Sequence, residues 1–100
     1  MSQVTVKVSY FGLVQPAVQV RDDLIAIAAG STVRQLVARL REKHGDAFCD
    51  ALFFPDGEPL PTVTMLFDGR DIRHSGGLDT RIEGDRVVSL VVMPPPLGGG

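Results

Sequence analysis

The residues with the clearest chemical use stand at the end of the chain, which finishes VVMPPPLGGG. Glycine anchors a terminus poorly, because it has no side chain to bury and loses more backbone entropy than any other residue when it is fixed. It does allow the backbone to pass where a Cβ would collide. A glycine end therefore needs an explanation other than anchoring, and close approach by another protein is the first one to consider.

The residues before the glycines fit the same use. The prolines at 94–96 favour an extended polyproline-type backbone that has little entropy to lose on binding. Residues 93–100 span roughly 20 Å when extended, which is enough to enter an active site. We predict that a partner recognises four tail residues: Pro96, Leu97, Gly98 and Gly99. Leu97 is the expected side-chain anchor, and the alternative is that the whole segment is an inert, disordered end.

The other reactive side chains form no catalytic set. Cys49 lies in DAFCDALFF, among apolar residues that favour a buried and inert thiol. His44 and His74 have no ligand partners at metal-binding spacing, so no metal is predicted. The acidic residues of interest are expected to be solvated charges: Asp22, Asp23, Asp46, Asp50 and Glu58. HSGGLD lacks the Lys-Ser/Thr pair of a phosphate-binding loop. Because none of these candidates forms a site, we predict neither an enzyme nor a bound cofactor.

The composition limits the class of protein. The chain has 100 residues, 44% hydrophobic and 22% charged, as expected for one soluble domain. Ten Lys and Arg are outnumbered by twelve Asp and Glu, which disfavours a nucleic-acid partner. A single cysteine excludes an internal disulfide and favours a reducing compartment. The start MSQVTVKV resembles no secretory signal and no run reaches transmembrane length, so we expect a cytoplasmic protein without a membrane partner.

The first half of the chain predicts a hairpin and a helix. Alternation from Val4 to Tyr10 predicts a strand, and a second β-rich stretch from Val18 to about Ile27 pairs with it antiparallel. Asp22-Asp23 interrupts this stretch, so we expect a bulge or bend there. The segment GSTVRQLVARLREKHG then predicts a helix from about Val33 to His44. Thr32 and Gln35 have the spacing of a capping box, and Gly45 suits the left-handed position at the helix end.

The second half predicts a packed loop and three more strands. Residues 46–61 are interrupted by prolines, and one short helical turn is expected. The expected apolar anchors of this loop are Phe48, Leu52, Phe53 and Phe54. A strand follows at Val63–Phe67, then a turn at Asp68-Gly69 and a short return strand at Asp71–Arg73. The last strand is RVVSLVVM, residues 86–93. The order β, β, α, β, short β, β predicts an α+β fold of β-grasp (ubiquitin-like) type, with a mixed sheet packed on one main helix. We divide the chain into a domain 1–93 and a tail 94–100.

The last strand is apolar on both faces. Val88 and Leu90 point to one face, and Val87 and Val91 to the other. A strand of this kind is normally buried on both sides, yet only one helix is available to cover the sheet. Two alternatives stay open: Val87 and Val91 belong to an exposed patch that binds a partner, together with Leu66, or they reflect β propensity beneath a loop.

Four segments resemble the sulfur-carrier proteins typified by the molybdopterin synthase small subunit and the thiamine-pathway sulfur carrier. They are GSTVRQLVARL, LFDG, IEGDRV and the terminal Gly-Gly, in the family's order over nearly the whole chain. RDIRHSGGLDTRIEGD is most similar to carriers that serve cysteine or secondary-metabolite sulfuration. The chain departs from the pattern in its longer link MPPPLGGG, with a third glycine, and in Asp68, where relatives often have Asn.

The resemblance implies a protein cosubstrate. The Gly100 carboxylate would be adenylated by an ATP-dependent, E1-like enzyme, and a sulfurtransferase or another sulfur source would convert it to a thiocarboxylate. A biosynthetic enzyme would then accept the sulfur. ATP would be used by the activating partner, with no cofactor bound to this chain. Two alternatives remain: a ubiquitin-like modifier that forms isopeptide bonds through Gly100, and a β-grasp binding module with an inert tail.

Overall fold

The computed structural model describes residues 2–12 and 22–92 of the chain. The strands in chain order are β1 Gln3–Gly12, β2 Asp22–Ala28, β3 Ser31–Thr32, β4 Val63–Phe67, β5 Arg70–Asp71, β6 Arg81–Ile82 and β7 Arg86–Val92. The helices are α1 Val33–His44 and α2 Asp46–Asp50, with single-turn 3-10 helices at Ile72–His74 and Gly77–Asp79. The predicted division at residue 93 lies one residue beyond the described range and stays a prediction.

One mixed sheet packs on α1, which confirms the predicted α+β, β-grasp fold. The strand order is β2-β1-β7-β4-β5, and β3 and β6 form a separate two-stranded sheet. β1 and β7 run parallel in the middle of the large sheet, whereas the other pairs are antiparallel. The first and last strands are therefore neighbours in the sheet, although they lie at opposite ends of the sequence. Lys7, for example, pairs with Val87.

Helix α1 has the predicted bounds because both of its ends are capped. The Thr32 hydroxyl accepts a hydrogen bond from the Gln35 amide at 3.3 Å, and the Gln35 side chain accepts one from the Thr32 amide at 2.8 Å. Gly45 ends the helix at φ 93°, a backbone conformation that favours glycine. The stripe of α1 that faces the sheet is buried: Val33, Leu36, Val37 and Leu40.

The predicted hairpin and third strand are confirmed, with one correction. β1 and β2 pair without interruption from Gln3–Ala28 to Ser9–Asp22, so the expected bulge at Asp22-Asp23 is wrong. The reason is that Asp23 enters the buried side of the strand and is paired there. The predicted start of this strand at Val18 lies outside the described residues.

Two local elements differ from the prediction. The return strand is Arg70–Asp71, and the chain then turns into a 3-10 helix in which Ile72 is buried. The Asp71 carboxylate accepts a hydrogen bond from the Arg73 amide at 2.9 Å, which caps the turn and ends the strand. Residues 46–61 form the expected short helix and packed loop, but Phe54 is exposed instead of anchoring it. The β3–β6 pair was not predicted, because two residues are too few to show alternation.

Candidate functional site

The C-terminal segment begins in the middle of the sheet. Val92, the last described residue, pairs with Gly12 of β1 on one side and with Val63 of β4 on the other. A segment that follows a central strand starts from a well-fixed residue, because that strand is hydrogen-bonded to a neighbouring strand on each side. The predicted tail residues lie outside the described residues: Pro96, Leu97, Gly98, Gly99 and Gly100.

The sheet surface that points away from α1 is here called the outer face. It brings together the three predicted partner-binding residues, because Leu66 pairs with Ser89, and the neighbouring Val87 and Val91 share its side of the sheet. Val87 is 42% exposed, while Leu66 and Val91 are half-buried. Among the described residues, no loop buries Val87, and its side chain is exposed; the binding of a partner at this patch stays a prediction.

Phe11 adds to this surface and was missed by the sequence reasoning. It pairs with Val91 in the parallel β1–β7 ladder and is 48% exposed. Its position could have been found by extending the alternation of β1 two residues past Ser9, since Lys7, Ser9 and Phe11 share one face. The outer face therefore presents apolar side chains from three adjacent strands close to the start of the tail, with Phe11 and Val91 nearest to it.

Asp68 fixes the other end of β7. It adopts φ 51°, a conformation that Asp and Asn enter more readily than most residues. Its carboxylate accepts a hydrogen bond from the Val87 amide at 3.0 Å, and its own amide donates to the Val87 carbonyl at 2.8 Å. The Arg86 guanidinium also lies 3.2 Å from the carboxylate. Asp68 thus supplies a charged acceptor that holds the first residues of the strand.

Asp23 is a buried carboxylate and contradicts the expectation of a solvated charge. It is 4% exposed, and it accepts hydrogen bonds from the Tyr10 hydroxyl at 2.5 Å and the Lys43 ammonium at 2.8 Å. His44 Nε2 lies 2.7 Å from the same carboxylate. Burial acts to raise the pKa of Asp23, but the hydrogen bonds from Lys43, Tyr10 and His44 outweigh it and hold the pKa below its usual value.

This cluster is structural. Tyr10 is fully buried, and burial together with the bond to Asp23 raises the pKa of its hydroxyl, which keeps it a donor. The His44 ring packs against the rings of Tyr10 and Phe48, with centroids 6.2 Å and 4.7 Å away. With Tyr10 and Asp23 closed to solvent, the group joins β1, β2 and the end of α1 and offers no place for a substrate.

The remaining candidates hold no reactive arrangement within the described residues. Cys49 is buried as predicted, and burial raises the pKa of its thiol. Asp46 and Asp50 both pair with Arg41, at 3.0 Å and 3.2 Å. Over residues 2–12 and 22–92, no three potential ligands cluster for a metal, and no helix is long and apolar enough to cross a membrane.

One cavity of about 120 Å³ lies between the loop at 58–61 and the turn at 71–73. Two of its charged groups are paired with each other, because Arg73 binds both oxygens of Asp71, at 3.1 Å and 2.7 Å. Glu58 lies at the same cavity, and the lining contains no histidine, cysteine or lysine beside it.

Comparisons with known proteins identify the family of the chain. Residues 8–100 match the ThiS family. A putative sulfur carrier protein of Archaeoglobus fulgidus is 33% identical over 85 residues, which cover 85% of this chain and 92% of the relative.

Solved structures share the fold. Urm1 from Trypanosoma brucei superposes with a TM-score of 0.77 at 18% identity, covering 100% of both chains. Small archaeal modifier protein 1 from Methanosarcina acetivorans gives 0.74 at 23% identity, again over 100% of both. A chain of the BexX/CysO complex from Amycolatopsis orientalis gives 0.68 at 19% identity, covering 94% of this chain and 99% of its own.

Proposed function

Because the chain belongs to the ThiS family, we propose that it is a sulfur carrier: a protein cosubstrate whose Gly100 carboxylate is activated and converted to a thiocarboxylate. The observation that carries the proposal is that the family match extends through residue 100 and so includes the glycine end. The 33% identical relative, itself described as a putative sulfur carrier, supports the same function. The β-grasp domain acts in this proposal as the handle by which enzymes hold the tail.

Activation makes the carboxylate reactive. An ATP-dependent, E1-like enzyme joins the Gly100 carboxylate oxygen to the α-phosphorus of ATP and releases pyrophosphate. A sulfur nucleophile from a sulfurtransferase or another source then attacks the carbonyl carbon, and AMP leaves with the oxygen. The glycines at 98–100 suit this chemistry, because a backbone without Cβ atoms fits a narrow channel. A biosynthetic enzyme finally takes the sulfur from the thiocarboxylate.

The outer face is the proposed docking surface for these partners. Phe11, Leu66, Val87 and Val91 form an apolar area on three strands, and Phe11 and Val91 lie beside the start of the tail. Interfaces of moderate size are held by a few well-packed apolar anchors. The fold is shared with a chain found in the BexX/CysO complex, which supports complex formation with a partner protein as the mode of action.

A ubiquitin-like modifier is the second candidate. The fold is shared with small archaeal modifier protein 1, and conjugation would use the same activated Gly100 carboxylate. The two functions differ in their products, since a modifier forms isopeptide bonds with lysines of other proteins, whereas a carrier changes only its own terminus.

Intact mass of the protein purified from its native host tests both functions, with and without an alkylating reagent that traps thiocarboxylates. A carrier shows a species in which one oxygen is replaced by sulfur, and this species reacts with the reagent. Deletion of Gly99-Gly100 must abolish it, while Gly30→Ala, far from the tail, must not. Heavier adducts on unrelated proteins would identify a modifier, and an unmodified terminus after incubation with ATP, a sulfur source and host extract would refute both.

A further inference from the structure

Gly12 is the last residue of β1 and lies beside Val92, from which the C-terminal segment continues. It pairs with Val92 in the parallel β1–β7 ladder, and its φ of +72° lies in the left-handed region that favours glycine. Gly12 and Val92 therefore lie side by side at the same level of the sheet.

The contact between these two residues leaves no room for a side chain. A Cβ placed on Gly12 would overlap the carbonyl oxygen of Val92 and would lie 3.2 Å from its carbonyl carbon. Both atoms belong to the backbone, so they cannot move aside as the end of a flexible side chain could. Gly30 provides the comparison, because it has a similar φ of +88° and no atom within 4 Å of the position of a Cβ.

We propose that Gly12 is a positioning residue that sets the direction in which the C-terminal segment leaves the sheet. A Cβ at position 12 would push the Val92 carbonyl aside and rotate the peptide plane that joins Val92 to the tail. All eight residues that follow Val92 are attached through this peptide plane, so a change in the plane changes the direction in which they start. The consequence for activity rests on the proposed function, whereas the consequence for tail direction does not.

The kinetic test uses Gly12→Ala with Gly30→Ala as the matched control. Both variants carry alanine at a positive φ, but only in Gly12→Ala does the new Cβ overlap backbone atoms of Val92. ATP–pyrophosphate exchange is measured with the adenylating enzyme of the native host. We expect Gly12→Ala to lower kcat by about 100-fold, as a displacement of about 1 Å at a reacting group can do. KM should stay unchanged because the outer face is intact, and Gly30→Ala should behave as wild type.

An equal loss in the two variants, or a rise in KM without a fall in kcat, would overturn the proposal. Gly12→Asn and Gly30→Asn form a second pair, since Asn enters the left-handed region more readily than Ala while it keeps the Cβ. If both Gly12 variants fail to fold while both Gly30 variants fold, Gly12 serves folding alone and the proposal is wrong.

A direct measurement of tail direction separates this proposal from the proposed function. A nitroxide is attached to a cysteine introduced by Gly100→Cys, and Cys49 is buried and so protected from the label. We expect Gly12→Ala to change the set of backbone amides that the nitroxide broadens, and Gly30→Ala to preserve it. If wild type is never adenylated, the proposed function fails, and this readout still decides the role of Gly12.

Discussion

At the residue scale, Asp23 has the densest set of partners in the described part of the chain. Its carboxylate is held by Tyr10 from β1 and by Lys43 and His44 from α1. These groups come from elements that are not adjacent in sequence, so one side chain connects the edge strand to the helix. A buried carboxylate is tolerated when its oxygens accept hydrogen bonds, and it lowers the stability of the fold when they do not.

Asp23→Asn should therefore lower the free energy of unfolding by about 2 kcal/mol, because a hydrogen bond to a charged group is worth about 1.5–3 kcal/mol. The amide keeps the shape but offers Tyr10, Lys43 and His44 only one neutral oxygen. Urea denaturation at pH 7 measures the change. Asp22→Asn is the matched control, since Asp22 lies one position away on the exposed side, 3.9 Å from Lys7. Equal effects of the two substitutions would contradict the buried network.

The pH dependence follows from the lowered pKa of Asp23. A carboxyl whose pKa is lower in the folded than in the unfolded state stabilises the fold above the unfolded value of about 3.9, and this contribution is lost as the pH falls through the folded pKa. Stability of wild type should therefore fall below about pH 4. The fall should be shallower in Asp23→Asn, as measured by urea denaturation from pH 6 to pH 2. Parallel curves would refute the assignment.

Asp23 also marks where sequence reasoning ends at this scale. The expectation of a solvated charge was the default for a carboxylate that the sequence places beside no partner, but Tyr10 and His44 lie 13 and 21 positions away. A local pattern contains no signal for such contacts. The burial of Cys49, by contrast, was predictable because most of its near neighbours in DAFCDALFF are apolar.

At the element scale, β1, β4 and β7 carry the outer face. Periodicity predicted β4 and α1 with their observed bounds, because one buried side imposes a regular spacing. It also placed Leu66, Val87 and Val91 on one face. It failed for β3, β6 and the turn at Ile72–His74, where two or three residues are fixed by capping and by distant backbone bonds instead of a repeated pattern.

The outer face gives the prediction at this scale. Val87→Gln should weaken binding to the adenylating enzyme of the native host about tenfold, which corresponds to about 1.4 kcal/mol and is typical for the loss of an apolar anchor. Isothermal titration calorimetry measures the affinity. Phe54→Gln is the control, because Phe54 is similarly exposed at 45% but belongs to the loop that follows α2. If Phe54→Gln weakens binding as much as Val87→Gln does, the outer face is not the docking surface.

At the scale of the whole molecule, the fold and the proposed reactive end are separate. The buried core draws on β1, β2, β4, β7 and α1, all within the described residues. The order and type of the main elements were predictable, because the helix stripe and the strand alternation leave few ways to bury both. The tail residues could be predicted only from their types and from family resemblance, since glycines and prolines make no pattern of burial.

Deletion of residues 98–100 should leave the free energy of unfolding within about 0.5 kcal/mol of wild type, as for changes remote from the core. The same deletion should abolish ATP–pyrophosphate exchange with the host enzyme. Thermal denaturation and the exchange assay are run on one preparation. A marked loss of stability would show that the glycines belong to the fold, and retained exchange would show that Gly100 is not the activated residue.

The central position of β7 has a consequence for biosynthesis. β1 and β4 have no strand between them until residues 86–92 have been made, so the β1–β2 and β4–β5 hairpins cannot join into one sheet on a nascent chain. Pairings such as that of Lys7 with Val87 also close a long loop, which is slow relative to local pairing. The domain therefore folds only after residue 92 has been made, and a ribosome that stalls earlier releases a chain whose two hairpins lack the strand that joins them.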